Sequence, residues 1–143
     1  MAIKKQEFYE GAALHLLARG GAVLGLRYEW PFFVLNDCHC ILMKYSTRGR
    51  SPWGFTFTAD EQLALDRCAK RTATSVALVC GADGVVAFNY KSYLSVASLR
   101  PTTVHISCYR NHGEYYELNG PDGTLKRKIP PSSWKKILSS HET

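Results

Sequence analysis

The run 75-SVALVC-80 is apolar on both faces, and it constrains the fold more than any other stretch of the chain. Side chains alternate along a strand, so such a run is stable only where layers cover both sides of the sheet. Thr58-Ala-Asp-Glu61 precedes it and has the form of a capping box, which predicts a helix from 59 to about 71. Upstream again, 38-CHCILMKYS-46 reads as another largely apolar strand. A helix joining two buried strands implies a right-handed crossover and a partly parallel sheet.

The other segments extend this frame. Residues 4–19 are rich in good helix formers, end at Gly20-Gly21, and place Glu10, Leu14 and Leu17 on one stripe. Residues 22–29 and 32–36 read as strands separated by Pro31, and Asn36-Asp37 as the turn that folds 38–46 back. Residues 47–54 form a polar loop leading into a short FTF strand. Asp83-Gly84 turns the chain into 85-VVAF-88, and a short helix is expected near 90–97. Residues 103–110 and 114–119 then read as an antiparallel pair, with a turn at 119–123 and a last helical turn or two after Pro131. The expected class is mixed α/β (α+β), one domain over 1–143, with a core at 4–90 and a C-terminal extension at 101–138.

A chain of 143 residues that is 45% hydrophobic and 21% charged can bury one real core. No stretch approaches the roughly 20 apolar residues of a membrane span, which argues against a membrane partner. The opening MAIKKQEFYEG carries no long apolar segment, which argues against a secretory signal. Five cysteines, an odd number placed inside apolar runs, favour buried thiols in a reducing cytoplasm over a disulfide framework. In 38-CHC-40 the two thiols and the imidazole alternate in direction, and no second pair at ligand spacing supports a zinc site.

Lys44 is the residue that asks for a chemical explanation. Alternation puts Cys38, Cys40, Leu42, Lys44 and Ser46 on one face, so its ammonium projects among hydrocarbons. A buried ammonium needs a carboxylate beside it, and Glu29 and Glu10 are the expected partners. Two acids and a lysine at a sheet edge can hold a divalent ion and stabilise charge on a phosphate. The alternative is a side chain that snorkels to water from the end of its strand.

The order helix, three strands, helix, strand, with Lys44 on the third strand, resembles the core of the PD-(D/E)XK, or restriction-endonuclease-like, superfamily. The resemblance spans roughly residues 4–90. It implies a central mixed sheet flanked by helices, with Glu10 as the acid of the first helix, Glu29 as the first hairpin acid and Lys44 as the lysine of the acid-x-lysine triplet. It implies Mg or Mn held by Glu10 and Glu29 if the site is active. The triplet here reads Leu42-Met43-Lys44, so the second metal-binding acid is missing. Asp37, the nearest other carboxylate, falls in the predicted turn. The resemblance therefore implies a degenerate site that needs no cofactor, with catalytic remnants Glu10, Glu29 and Lys44.

A formal charge of +6 suits a polyanionic partner. Arg48 and Arg50 follow Lys44 on a Gly/Pro/Ser loop, where guanidinium forks can pair with phosphate oxygens. Trp53 stacks on a base if it is exposed, and plugs the core with Phe55 if it is not. Lys126, Arg127 and Lys128 form a second basic cluster with Lys135 and Lys136 near Trp134. That cluster joins the 44–50 loop in one groove if the two are neighbours. Arg110, beside His112 at a hairpin turn, can add to either surface. The expectation is a small basic protein that binds DNA or RNA. Its alternatives are an active nuclease with a displaced acid, and a protein-binding regulator or inhibitor of a host–virus or defence setting, for which Tyr115 and Tyr116 offer interface aromatics.

Overall fold

The structure, a computed structural model, describes residues 2–138. It is a mixed α+β fold with three helices and two sheets among those residues. Helix α1 (Lys5–Arg19) leads into the antiparallel strands β1 (Leu26–Glu29), β2 (Phe32–Leu35) and β3 (His39–Ser46). Strand β4 (Trp53–Phe57) and helix α2 (Ala59–Ala69) then cross over to β5 (Ala73–Cys80), which runs parallel to β3. Strand β6 (Gly84–Asn89) folds back antiparallel on β5 and completes a five-stranded sheet of order β1-β2-β3-β5-β6. The crossover and the parallel pair are those expected from the apolar run 75–80. Every residue of β5 after Ala73 is buried.

After helix α3 (Tyr90–Val96), strands β7 (Val104–Tyr109), β8 (Glu117–Gly120) and β9 (Gly123–Thr124) form a second sheet. Its fourth member is β4, paired antiparallel with β7 from Trp53↔Cys108 to Phe57↔Val104. The expected C-terminal pair is therefore present, but it is completed by a strand from the middle of the chain. Alternation in β4 explains the choice. Trp53, Phe55 and Phe57 point inward and are buried, while Gly54 and Thr56 face out.

Two apolar clusters cover the two faces of the larger sheet. One face (Val34, Leu42, Leu78, Val86) packs against α2, α3 and the second sheet. The other (Ile41, Met43, Val79, Ala87) packs against Ala13 and Leu17 of α1 and against Trp134 and Ile137. The C-terminal segment is thus part of the core. The Trp134 indole N–H donates to the Ala13 carbonyl at 2.8 Å, tying the chain end to the first helix.

The first strand is shorter than expected. Asn36, at φ 52°, turns its side chain onto the preceding loop, accepting from Leu24 N at 2.7 Å and Gly25 N at 3.0 Å. Leu24 and Gly25 thereby satisfy their amides without a strand partner, and β1 keeps only four residues, all exposed. The helix stripe also shifts: Glu10, Ala13 and Leu17 are buried, and Leu14 is only partly so. Among the described residues no helix is long and apolar enough to cross a membrane.

Candidate functional site

Strand β2 stops pairing with β3 at Phe32↔Leu42, so Met43 to Ser46 have no partner on that side. On the other side they pair with Ala77 to Cys80. The gap beside the free edge is a pocket of about 320 Å³. Its walls come from β1 (Tyr28) and the turn after it (Trp30), from α1 (Gln6, Glu10), and from Lys44 and Glu61.

Lys44 leans toward α2 and meets Glu61. Its Nζ lies 2.6 Å from both Oε1 and Oε2, and 5.4 Å from the centroid of the Phe57 ring. The lysine and glutamate side chains are 21% and 15% exposed. Glu61 is placed by the capping box read from the sequence. Thr58 accepts from Glu61 N at 3.1 Å, and Glu61 Oε1 accepts from Thr58 N at 2.9 Å. One carboxylate therefore starts the helix and neutralises the lysine.

Glu10 reaches the pocket from the opposite face of the sheet and is buried. Burial raises its pKa above the usual carboxylate value, partly offset by the Gln6 amide, which donates at 2.9 Å, and by the Lys44 charge. The Tyr28 phenol is also pushed up, first by burial and then by the charges of Glu10 and Glu61. Two carboxylates, one ammonium and two phenols (Tyr28 and Tyr45) thus share this pocket.

Glu29 does not line it. The side chain bonds Arg27 on the exposed edge strand, and Arg27 also bonds Asp37. The expected pairing of Glu29 with Lys44 is corrected to Glu61 with Lys44. The reason is topological. The α2 crossover brings the first turn of α2 to the free end of β3, whereas β1 is two strands away from β3. The signal for Glu61 was already present as the last residue of the capping box, where a single role concealed the second.

Beyond Lys44, the loop at residues 47–52 is held at three points. Gly81 N donates to Ser46 O at 2.9 Å, the Trp53 indole to Arg48 O at 3.0 Å, and the Ser51 hydroxyl to Arg110 O at 3.0 Å. Gly81 is required here: its φ is +55°, and a Cβ would stand 2.3 Å from Arg48 O. Arg48 and Arg50 are exposed and have no ion pair among the described residues. Four residues of extended chain separate Lys44 from Arg48, at most about 13 Å.

Two residues expected to contact nucleic acid, Trp53 by stacking and Arg110 by charge, are instead committed to the interior. Trp53 is 2% exposed and packs on Tyr116 at 6.2 Å, so it plugs the core and offers no stacking face. Arg110 donates to Asp83 at 3.0 Å and to the Tyr116 hydroxyl at 2.8 Å, with its guanidinium 4.8 Å from the Tyr116 ring centroid. Tyr116 is itself buried, so of the two tyrosines only Tyr115 is exposed.

The same contacts settle where the second basic cluster lies. Tyr116 bridges Ile129, and Lys128 pairs with Glu114 at 3.8 Å. Lys126, Arg127 and Lys128, all exposed, therefore belong to a segment anchored at the corner that also holds the 47–52 loop. Lys135 and Lys136 do not share it; they flank Trp134 beside α1 and β6. Cys40 and Cys68 lie buried side by side, as do Cys80 and Cys108, and all five cysteines are free thiols.

Among the described residues no group of three His, Cys, Asp or Glu side chains is arranged to hold a metal ion. Magnesium is nevertheless commonly bound through one or two carboxylates together with water and substrate phosphate, and Glu10 and Glu61 supply two. A divalent ion could use them only if Lys44, which holds both Glu61 oxygens, moved away. No family model matches this sequence, and neither a curated protein nor a solved structure is significantly similar to it.

Proposed function

We propose that this chain is a nucleic-acid-binding protein whose core is a degenerate restriction-endonuclease-like fold. The observation that carries the reading is the pair Arg48 and Arg50, exposed and without an ion pair among the described residues, on a loop held by hydrogen bonds at Ser46, Arg48 and Ser51. A pre-ordered loop loses little entropy when guanidinium groups clamp phosphates, and Lys126, Arg127 and Lys128 add charge at the same corner. Lys44 sits at the head of this surface, neutralised by Glu61 rather than free.

Fluorescence anisotropy with labelled duplex DNA, single-stranded DNA and RNA across a salt series tests the proposal. Binding should weaken steeply with salt, and Arg48→Ala/Arg50→Ala should weaken it for every sequence and reduce the log–log salt slope by about 2. Salt-insensitive binding, or a double variant as tight as wild type, removes the proposal.

A second reading follows from the position of Glu61. It stands where a displaced acid would complete a pair with Glu10, which favours an active magnesium- or manganese-dependent nuclease. A divalent ion bound there would polarise a phosphoryl oxygen and lower the pKa of its water. Lys44 would then leave Glu61 and stabilise charge on the phosphoryl group. Calorimetric titration of Mn²⁺ into wild type and Glu61→Gln, beside plasmid and RNA incubations with and without chelator, decides it. No Mn²⁺ heat and no metal-dependent product leave the binding reading alone.

A further inference from the structure

Strand β1 is a free edge of the larger sheet. Among the described residues it pairs with β2 on one side and with no strand on the other. Around it, Leu24, Leu26, Tyr28 and Trp30 recur at every second position and are 90%, 49%, 55% and 64% exposed. Single exposed hydrophobics are ordinary, but four within seven residues form a patch that asks for cover. Leu26 and Tyr28 share the face of the sheet that bears α1, since they stand opposite Leu35 and Phe33 of the cluster packed on that helix. Trp30 joins Tyr28 at the wall of the pocket beside α1.

The backbone decides how a neighbour can pair with this edge. Asn36 N donates to Gly25 O at 2.9 Å, so Gly25, and with it Arg27 and Glu29, turns its peptide groups toward β2. Leu26 and Tyr28 therefore present N–H and C=O outward. An added antiparallel strand must meet outward residues with outward residues of its own, so the permitted registers differ in steps of two.

That restriction makes the edge complementary to itself. The stretch 26-LRYEW-30 reads apolar, Arg, Tyr, Glu, apolar, and is balanced about Tyr28. Two copies related by a two-fold axis at Tyr28 set Arg27 of each against Glu29 of the other, and Leu26 against Trp30. One permitted step in either direction sets Arg27 against Arg27, or Glu29 against Glu29. In the balanced register the ion pairs fall on non-hydrogen-bonded positions, where Cα atoms stand about 4.5 Å apart and side chains are closest. Arg27 already bonds its own Glu29 and Asp37, and a guanidinium has donors left for a second glutamate.

We propose that the chain forms a two-fold dimer by antiparallel pairing of β1 with β1 of a second copy, which joins the two larger sheets into one. The dimer does not rest on the nucleic-acid reading, because the Arg48–Arg50 loop follows β3, two strands in from this edge. The contact is short, below about 1,200 Å² in total, so dissociation constants of about 10–100 μM are expected.

Sedimentation equilibrium of the full chain from about 5 to about 500 μM tests the proposal. The mass should rise from 16.0 kDa toward twice that value and no further, because the pairing uses each β1 edge once. Glu29→Arg and Arg27→Glu each set like charges across the contact, and each should weaken self-association at least tenfold. An equimolar mixture of the two variants restores opposite charges at both positions, and should associate at least as tightly as wild type. Both positions are exposed, and recovery in the mixture also shows that neither variant has misfolded. Arg48→Ala/Arg50→Ala should leave the dimer unchanged, so this contact and the nucleic-acid surface fail independently. A mass of 16.0 kDa at every concentration would overturn the proposal. So would undiminished self-association of either variant, a mixture no tighter than its components, or growth beyond a dimer. A monomer whose affinity for single-stranded DNA falls at least tenfold in Trp30→Ala would also overturn it, by assigning the aromatic edge to nucleic acid.

Discussion

Replacing Lys44 by Met tests the centre of the candidate site. The methionine keeps most of the side-chain volume over Phe57 but removes the ammonium that holds both Glu61 oxygens. Breaking one partner of a fully buried pair costs about 3–5 kcal/mol, because the other charge is stranded. With side chains 21% and 15% exposed, water screens part of that loss, and about 2–3 kcal/mol is expected. Glu61→Gln should cost less, about 1–2 kcal/mol. Glutamine still serves a capping box, and the stranded Lys44 keeps the nearby Glu10 charge, whereas a stranded Glu61 faces Glu10 across the pocket. Lys44→Met/Glu61→Leu should recover most of the loss, since an apolar pair of similar volume replaces a buried ion pair at little cost. Urea denaturation reads these differences as midpoint shifts at constant slope, and the Lys44→Met melting temperature should fall by about 6–12 °C. A Lys44→Met loss below about 0.5 kcal/mol, or a Glu61→Gln loss equal to it, would refute the reasoning.

Three further outcomes follow from other parts of the fold. Gly81→Ala should lose about 2–3 kcal/mol from its positive φ and its clash with Arg48 O, and should weaken nucleic-acid binding by displacing the loop; both are read by denaturation and anisotropy. Native protein should expose one rapidly reacting thiol to a colorimetric disulfide reagent, Cys38, and all five only after unfolding; burial and the neighbouring Cys68 hold the Cys40 thiol up at about 12. Glu10→Gln should melt higher than wild type at neutral pH. Because burial raises the folded pKa of Glu10, its favourable contribution is complete below the ordinary value of 4.5 and is lost as pH rises through the folded value. The difference between the two proteins should therefore close below that value.

Much of the fold was legible because it rests on local signals. The apolar run 75–80 required cover on both faces, the Thr58–Glu61 box marked the start of α2, and together they yielded the crossover that makes β3 and β5 parallel. The destination of β4 was not legible. Its Trp-x-Phe-x-Phe alternation shows that one face is buried but not against which sheet, and only the pairing with β7 places it. Residues 22–25 misled because their Val and Leu content favours a strand, while the competing bond donors are satisfied by Asn36, more than ten residues away. Long-range hydrogen bonds of that kind leave no periodicity to read.

For the site, the lysine was legible and its partner was not. An ammonium among hydrocarbons demands an acid, and Glu10 was recognised because a carboxylate interrupts an apolar stripe. Glu61 had a sufficient local explanation as a helix cap, so nothing in its surroundings asked for another. The distinction bears directly on function. Glu61 now holds two commitments, to Thr58 N and to Lys44, and only the second must be surrendered for a cation to enter. Binding by the Arg48–Arg50 loop leaves that ion pair intact, whereas cleavage requires it to open. A change in Lys44 protection or in Glu61 ionisation on adding Mn²⁺, absent on adding nucleic acid alone, would therefore separate the two readings at the level of a single salt bridge.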